Sequence, residues 1–262
     1  MKYLSNYNLK NKRVLVLGGS GTIGKEVCLA LKEHKAHITN LDLKDDIILK
    51  RNKINFTKFR LDMSKKSINF FKKIVKNKTP EIFINCSYPH SKGWSNMKFK
   101  DPNISKIKKN IDLQLTFTIW STQFIADQMK RKKIKGKILL LGSIYGVIPQ
   151  DENLYKNSNI KINSIYSSIK GGLINLTKQL AVYYGRYSIR ANIISPGGLK
   201  GKIISSNAQQ KPSFIKKYTQ TVPLNRMAKA EDVASAAIFL VSDASDYITG
   251  TNLILDGGKT LI

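Results

Sequence analysis

Short apolar runs bounded by turn residues alternate with longer segments of helical period from one end of the chain to the other. Residues 13–18 (RVLVLG), 36–42 (AHITNLD), 54–62 (INFTKFRLD), 81–87 (EIFINCS), 136–143 (GKILLLGS), 189–198 (IRANIISPGG) and 251–258 (TNLILDGG) read as strands. Between them, residues 22–34, 65–77, about 104–131, 162–185 and 230–243 carry apolar positions at helical spacing. Strands of this kind alternating with helices predict a parallel sheet covered on both faces. No linker, repeat or low-complexity segment interrupts the alternation. The expectation is α/β: a single doubly wound, Rossmann-like domain over residues 1–262.

In such sheets ligands bind beyond the carboxyl ends of the strands, and the polar signals fall there. The first strand runs into GGSGTIG (18–24), a glycine-rich turn opening a helix. Glycines there permit a tight turn and close backbone approach to a pyrophosphate, whose charge faces the helix N-terminus. The second strand ends in Asp42, 18 positions beyond Gly24, where a carboxylate can bind an adenosine ribose and repel a 2′-phosphate. Together they predict dinucleotide binding, NAD ahead of NADP. Lys44 is the residue that would favour the phosphorylated form.

Further along, Tyr166 and Lys170 stand one helical turn apart in YSSIK (166–170). Side chains at i and i+4 share a helix face about 5–6 Å apart. An ammonium so placed would stabilise a phenolate and bring the tyrosine hydroxyl, which ordinarily titrates near ~10, toward use as a proton donor at neutral pH.

Composition changes little of this. The 42% hydrophobic content supports a sizeable core, and no run of 18 apolar residues marks a membrane span. The polar start lacks the apolar stretch and cleavage site of a signal peptide, and Cys28 and Cys86 offer neither a disulfide framework nor a CxxC metal pair. A cytoplasmic, reducing location without a structural metal is expected. The net charge of +28, from 45 Lys+Arg against 17 Asp+Glu, admits a polyanionic partner. The basic residues form neither an arm nor a stripe interleaved with aromatics, so a nucleic-acid partner is not expected.

GGSGTIG, Asp62 closing the third strand, Asn85-Cys86-Ser87, Ser143, YSSIK, SPGG (195–198) and LDGG (255–258) follow one another in an order that resembles the short-chain dehydrogenases/reductases over nearly the whole chain. The resemblance implies an NAD(P)-dependent oxidoreductase acting on CH–OH groups. Tyr166 would be the general acid/base, Lys170 its activator and a ribose ligand, and Ser143 the hydrogen-bonding partner of the substrate oxygen. Gly18, Ser20, Thr22, Ile23, Gly24, Asp42, Asp62, Met63, Asn85, Tyr166, Lys170, Pro196 and Gly197 would line the dinucleotide. The family's helices 104–131 and 162–185 imply a homodimer or homotetramer.

Three departures qualify the match. Thr22 replaces the middle glycine of the turn, where its side chain either crowds a pyrophosphate or donates to it. The family's tetrad asparagine falls on Asp112, with Asn110 as the alternative alignment. A carboxylate beside Lys170 would favour the charged lysine. Ser143 and Tyr166 are 23 positions apart, longer than is usual in the family, which makes residues 149–163 a candidate substrate lid. Ser143, Tyr155 and His90 are the candidate substrate contacts. The lengthening, with SIYGV before it and SDASDYITG later, resembles a branch acting in flagellin and surface-glycan biosynthesis. It implies a sugar or sugar-nucleotide substrate whose phosphates Lys156, Lys161, Lys200 and Lys202 would face. Reduction of a 3-oxoacyl thioester on a carrier protein, and a catalytically retired dinucleotide-binding scaffold, are the alternatives.

Overall fold

The computed structural model describes residues 2–94, 97, 99–100, 102–156, 158, 161–201 and 209–262. Lys202 and parts of 149–163, namely 157, 159 and 160, lie outside the described residues. Seven strands, β1 (Arg13–Leu17), β2 (His37–Asp42), β3 (Asn55–Lys58), β4 (Ile82–Asn85), β5 (Lys137–Leu141), β6 (Arg190–Pro196) and β7 (Asn252–Leu255), form one sheet in the order β3-β2-β1-β4-β5-β6-β7. Every neighbouring pair is parallel, with Val16 facing Asn40 on one side and Ile84 on the other.

The helices are α1 (Lys2–Ser5), α2 (Thr22–Glu33), α3 (Ile47–Arg51), α4 (Lys65–Asn77), α5 (Ile104–Ile111), α6 (Phe117–Arg131), α7 (Glu152–Tyr155), α8 (Ser164–Tyr184), α9 (Pro212–Thr219) and α10 (Ala230–Val241). Successive strand residues point to opposite faces, which divides the core in two. Val14, Val16, Ile82, Ile84 and Leu139 meet Val27 and Leu31 of α2 and Val233 and Ala237 of α10. Leu15, Leu17, Phe83, Ile138 and Leu140 meet Phe71 of α4, Phe117 and Ile125 of α6, and Ile169 and Leu173 of α8. Each fully buried side chain of this size stabilises the fold by about 1.5–3 kcal/mol, so these two layers hold the strand ends in fixed positions. Among the described residues no helix is long and apolar enough to cross a membrane.

Three elements differ from the expectation. The third strand stops at Lys58, because its neighbour β2 ends at Asp42 directly opposite, leaving Asp62 in the following loop rather than at the strand end. The helix predicted over 104–131 is interrupted by a π turn at Asp112–Thr116, the kind of bulge that recurs at functional sites. Residues 149–163 contain α7, and α9 begins at Pro212, whose fixed φ suits a first helical position. The strand order reverses between β1 and β4, and the crevice beyond their carboxyl ends receives the loops at 18–21, 85–94, 143–146 and 195–198.

Candidate active site

The turn after β1 can be built only from glycine at its first position. Gly18 has φ +81°, and a Cβ there would stand 2.6 Å from Ser87 Cα. Two residues of β2 hold the turn in place. Asn40 accepts from Gly19 N–H (2.9 Å) and donates to Ser20 Oγ (2.9 Å), while Asp42 Oδ2 accepts from Ser20 N–H (2.9 Å). The other Asp42 oxygen accepts from Leu43 N–H at 2.6 Å. Helix α2 starts behind the turn with no side-chain cap on its N-terminal N–H groups. A glycine turn against an uncapped helix N-terminus, bordered by a carboxylate, fits a dinucleotide. Thr22 is exposed at the first position of α2, and Ile23 and Gly24 follow it in the first turn. Asn40 is not among the residues the sequence singles out, because β2 also carries the polar His37, Thr39 and Asp42.

Asn85 closes β4 with its carbonyl oxygen accepting from Ser87 N–H (3.0 Å) and Ser87 Oγ (2.6 Å) and its amide donating to Thr118 on α6 (3.1 Å). Asp62 accepts from Ser64 N–H and Oγ, and these bonds hold its carboxyl below the usual range. Met63 beside it has φ +62°. Pro196 ends β6, Gly197 N–H donates to Leu255 O (2.9 Å), and Gly198 N–H donates to the Tyr218 hydroxyl at 2.5 Å. A cavity of about 670 Å³ opens beyond this loop, lined by Tyr218, Arg226 and Asp256. It does not reach Ser143, Tyr166 or Lys170, so it is not the place where they act.

Ser143 caps the 3₁₀ turn Ile144–Gly146, accepting from Tyr145 N–H at 3.2 Å. Asn163 caps α8 by accepting from Tyr166 N–H (2.9 Å), which fixes the start of the helix at the tyrosine. One turn later Lys170, buried, donates to Leu141 O at 2.9 Å, and its Nζ lies 5.7 Å from the centroid of the Tyr166 ring. Burial moves both groups toward neutrality: it raises the Tyr166 hydroxyl, against a hydrogen bond with Ser143 that lowers it, and brings Lys170 down to about 8. In the protein alone, therefore, desolvation outweighs the phenolate stabilisation that the i,i+4 spacing suggests. Cys86 is pushed up to about 12 by burial and stays a thiol.

Asp112 is not brought to Lys170. Its carboxylate is exposed and among the described residues accepts only from Thr116 Oγ1 (3.5 Å), while its carbonyl takes the Phe117 N–H of the π turn. Asn110, fully buried, instead clamps the loop after β4, bonding Ser91 N–H (3.0 Å) and Ser91 Oγ (2.9 Å). In that loop it is Tyr88 that packs edge-on against Tyr166 (5.9 Å between centroids), its hydroxyl accepting from Trp94 Nε1 at 2.8 Å. His90 lies behind it, 6.0 Å from the Tyr88 ring. The phenol of Tyr155 reaches that of Tyr145 at 2.5 Å. Lys156, Lys161 and Lys200 are exposed.

A family profile described as enoyl-(acyl carrier protein) reductase matches residues 19–260. Post-translational flagellin modification protein A of Campylobacter coli is 32% identical over 95% of this chain and 98% of its own. A 3-oxoacyl-[acyl-carrier-protein] reductase of Buchnera aphidicola is 28% identical over 95% and 98%. Among solved structures, a short chain dehydrogenase of Leptospira borgpetersenii with bound NAD+ superposes with a TM-score of 0.85 at 32% identity, covering 98% of this chain and 95% of that one. The chain belongs to the short-chain dehydrogenase/reductase family of oxidoreductases.

Proposed function

We propose that this chain is an NAD-dependent oxidoreductase that interconverts a hydroxyl and a carbonyl on a sugar-type substrate, a sugar or sugar nucleotide, in glycan biosynthesis. The observation that carries the reading is the meeting of Ser143, Tyr166 and Lys170 beside a glycine cradle bordered by Asp42. When bound, the nicotinamide supplies or accepts the hydride. Tyr166 Oη gives the proton to the substrate oxygen, or takes it, and Ser143 Oγ hydrogen-bonds that oxygen as charge develops. Lys170 spends one N–H on Leu141 O and keeps two for a ribose hydroxyl. Asp42 borders the glycine turn, where a carboxylate would accept from an adenosine ribose and repel a 2′-phosphate, and this supports NAD over NADP.

The substrate class is supported by the flagellin-modification relative, which spans nearly the whole chain, and by the long segment between Ser143 and Tyr166, which contains α7. The carrier-protein reading is favoured by the profile description and the Buchnera relative. The insertion and Asp42 weigh against it. A homodimer or homotetramer through α6 and α8, where Val182 and Tyr183 are exposed, and a cytoplasmic location complete the proposal. Nicotinamide fluorescence with NADH and NADPH, followed by turnover across nucleotide sugars, sugar phosphates and a 3-oxoacyl thioester, tests it. Tighter NADH binding with turnover of a sugar is expected. Preference for NADPH with turnover of the thioester alone would replace it with the carrier-protein reading.

A further inference from the structure

We propose that Tyr145 and Tyr155 form a hydroxyl pair that donates one hydrogen bond to a substrate oxygen away from the reacting carbon. The pair makes the turn at Ile144–Gly146 and α7 a specificity element for polyhydroxylated rings over hydrocarbon ones. The inference rests on the oxidoreductase reading and deepens it to a substrate chemistry.

Tyr145 follows Ser143 by two residues and is tied to it by its N–H on Ser143 Oγ (3.2 Å), so its phenol is placed by the same turn that places the serine. Tyr155 ends α7, and the two hydroxyl oxygens stand 2.5 Å apart with the rings edge to face. A phenol carries one hydrogen and can also accept. Joining two phenols therefore spends one hydrogen and leaves the other, and among the described residues no further acceptor takes it. Burial raises both hydroxyls far above neutral pH, so the pair remains a donor throughout the working range.

The donor is held rigidly. Tyr155 packs on Phe214 (5.5 Å between centroids), and Phe214 packs on Tyr218 (5.9 Å). Leu154 is buried with Val222 and Met227 in the same cluster, so α7 and α9 form one cap with its own small core. Lys217 adds a hydrogen bond from α9 to Asn153 O. A fixed donor in a half-buried setting discriminates strongly, because a ring lacking the matching oxygen leaves it unpaired.

The test compares the wild type with the double variant Tyr145→Phe/Tyr155→Phe, which keeps both rings and removes both hydroxyls. The probes are cyclohexanol and myo-inositol, the same six-membered carbon ring with different oxygenation, oxidised with NAD+. The wild type is expected to favour myo-inositol in kcat/KM. The double variant is expected to lose about tenfold of that preference, the worth of one hydrogen bond. The two single variants then show which phenol faces the substrate. Absence of a preference in the wild type, turnover of neither ring included, overturns the proposal. So does an equal fall on both rings, which would make the pair a latch only. NADH binding and Tyr166-dependent turnover report separately on the oxidoreductase reading.

Discussion

Replacing Gly146 by alanine adds one methyl where the turn carrying Ser143 meets the helix carrying Tyr166 and Lys170. A Cβ there would stand 2.7 Å from the Lys170 carbonyl carbon, 2.8 Å from Gly171 N and 2.9 Å from Ile174 Cδ1. The first two are backbone atoms and cannot swing aside as a side chain can. Ordinary contact begins at 3.4 Å, so the turn must retreat by about 0.7 Å. Overpacking of this kind costs about 1–3 kcal/mol of stability. A displacement approaching 1 Å at reacting groups costs on the order of 100-fold in rate. The expected result is a folded Gly146→Ala protein that binds NADH and has lost roughly two orders of magnitude in kcat/KM. Gly185→Ala is the control: Gly185 has φ −55°, nothing lies within 4 Å of its added Cβ, and alanine there should stabilise by about 0.4–1 kcal/mol. Urea midpoints and steady-state kinetics on the best substrate of the sugar panel supply both readouts. A Gly146→Ala enzyme with wild-type kcat/KM would refute the idea that this contact sets the Ser143–Tyr166 geometry.

The remaining expectations concern charge and burial. Lys170 titrates at about 8 in the fold against ~10.4 when unfolded. The fold binds fewer protons between these values, so this residue's contribution to stability rises as pH climbs through that window. Lys170→Met should therefore abolish turnover yet stabilise the fold at pH 7, by roughly 3 kcal/mol before the lost Leu141 bond is subtracted, seen as a higher urea midpoint; a lower midpoint would contradict it. Asp42→Ala removes the acceptor of Ser20 N–H and should weaken NADH binding about 10- to 30-fold while narrowing the gap to NADPH, as read by fluorescence titration. The Gln114 side chain is buried and its Nε2 has no partner among the described residues. Gln114→Met should raise the thermal midpoint, in line with about 1 kcal/mol gained, and a fall would mean that the amide is satisfied.

How much the chain disclosed in advance depended on whether a signal was local. Helix α4 is bounded at both ends by its own sequence, with the Ser64 hydroxyl accepting from Ser67 N–H at its start and the apolar stripe ending by Asn77. The Tyr166–Lys170 pairing followed from helix spacing alone. The third strand was read four residues long at its end because its limit is set by β2, a partner the local pattern does not contain. The resemblance puts the family's tetrad asparagine on Asp112, with Asn110 as the alternative, but the π turn decides where the Asp112 carboxylate points, and a shift of helical period by one residue is not visible in composition. His90 drew attention as the titratable residue of its loop, whereas the clamp from Asn110 and the bond from Trp94 bring Tyr88 to the site. Asn40, Asn163 and the Tyr145–Tyr155 pair were missed as well. Asn40 and the two tyrosines act through partners brought near by the tertiary fold, Asn40 through a glycine 21 positions away, whereas Asn163 is a local cap three residues before Tyr166.

The most direct test of the central claim is the rate of NADH oxidation by wild type and Tyr166→Phe on the sugar-type ketone that the panel selects, with NADH binding measured on the same samples. The account predicts that the variant binds NADH as the wild type does and loses turnover by at least about 100-fold, since its proton donor is gone. Turnover at the wild-type rate in the phenylalanine variant would contradict the assignment of Tyr166. Tight NADH binding without turnover in either protein would make the chain a dinucleotide-binding scaffold instead.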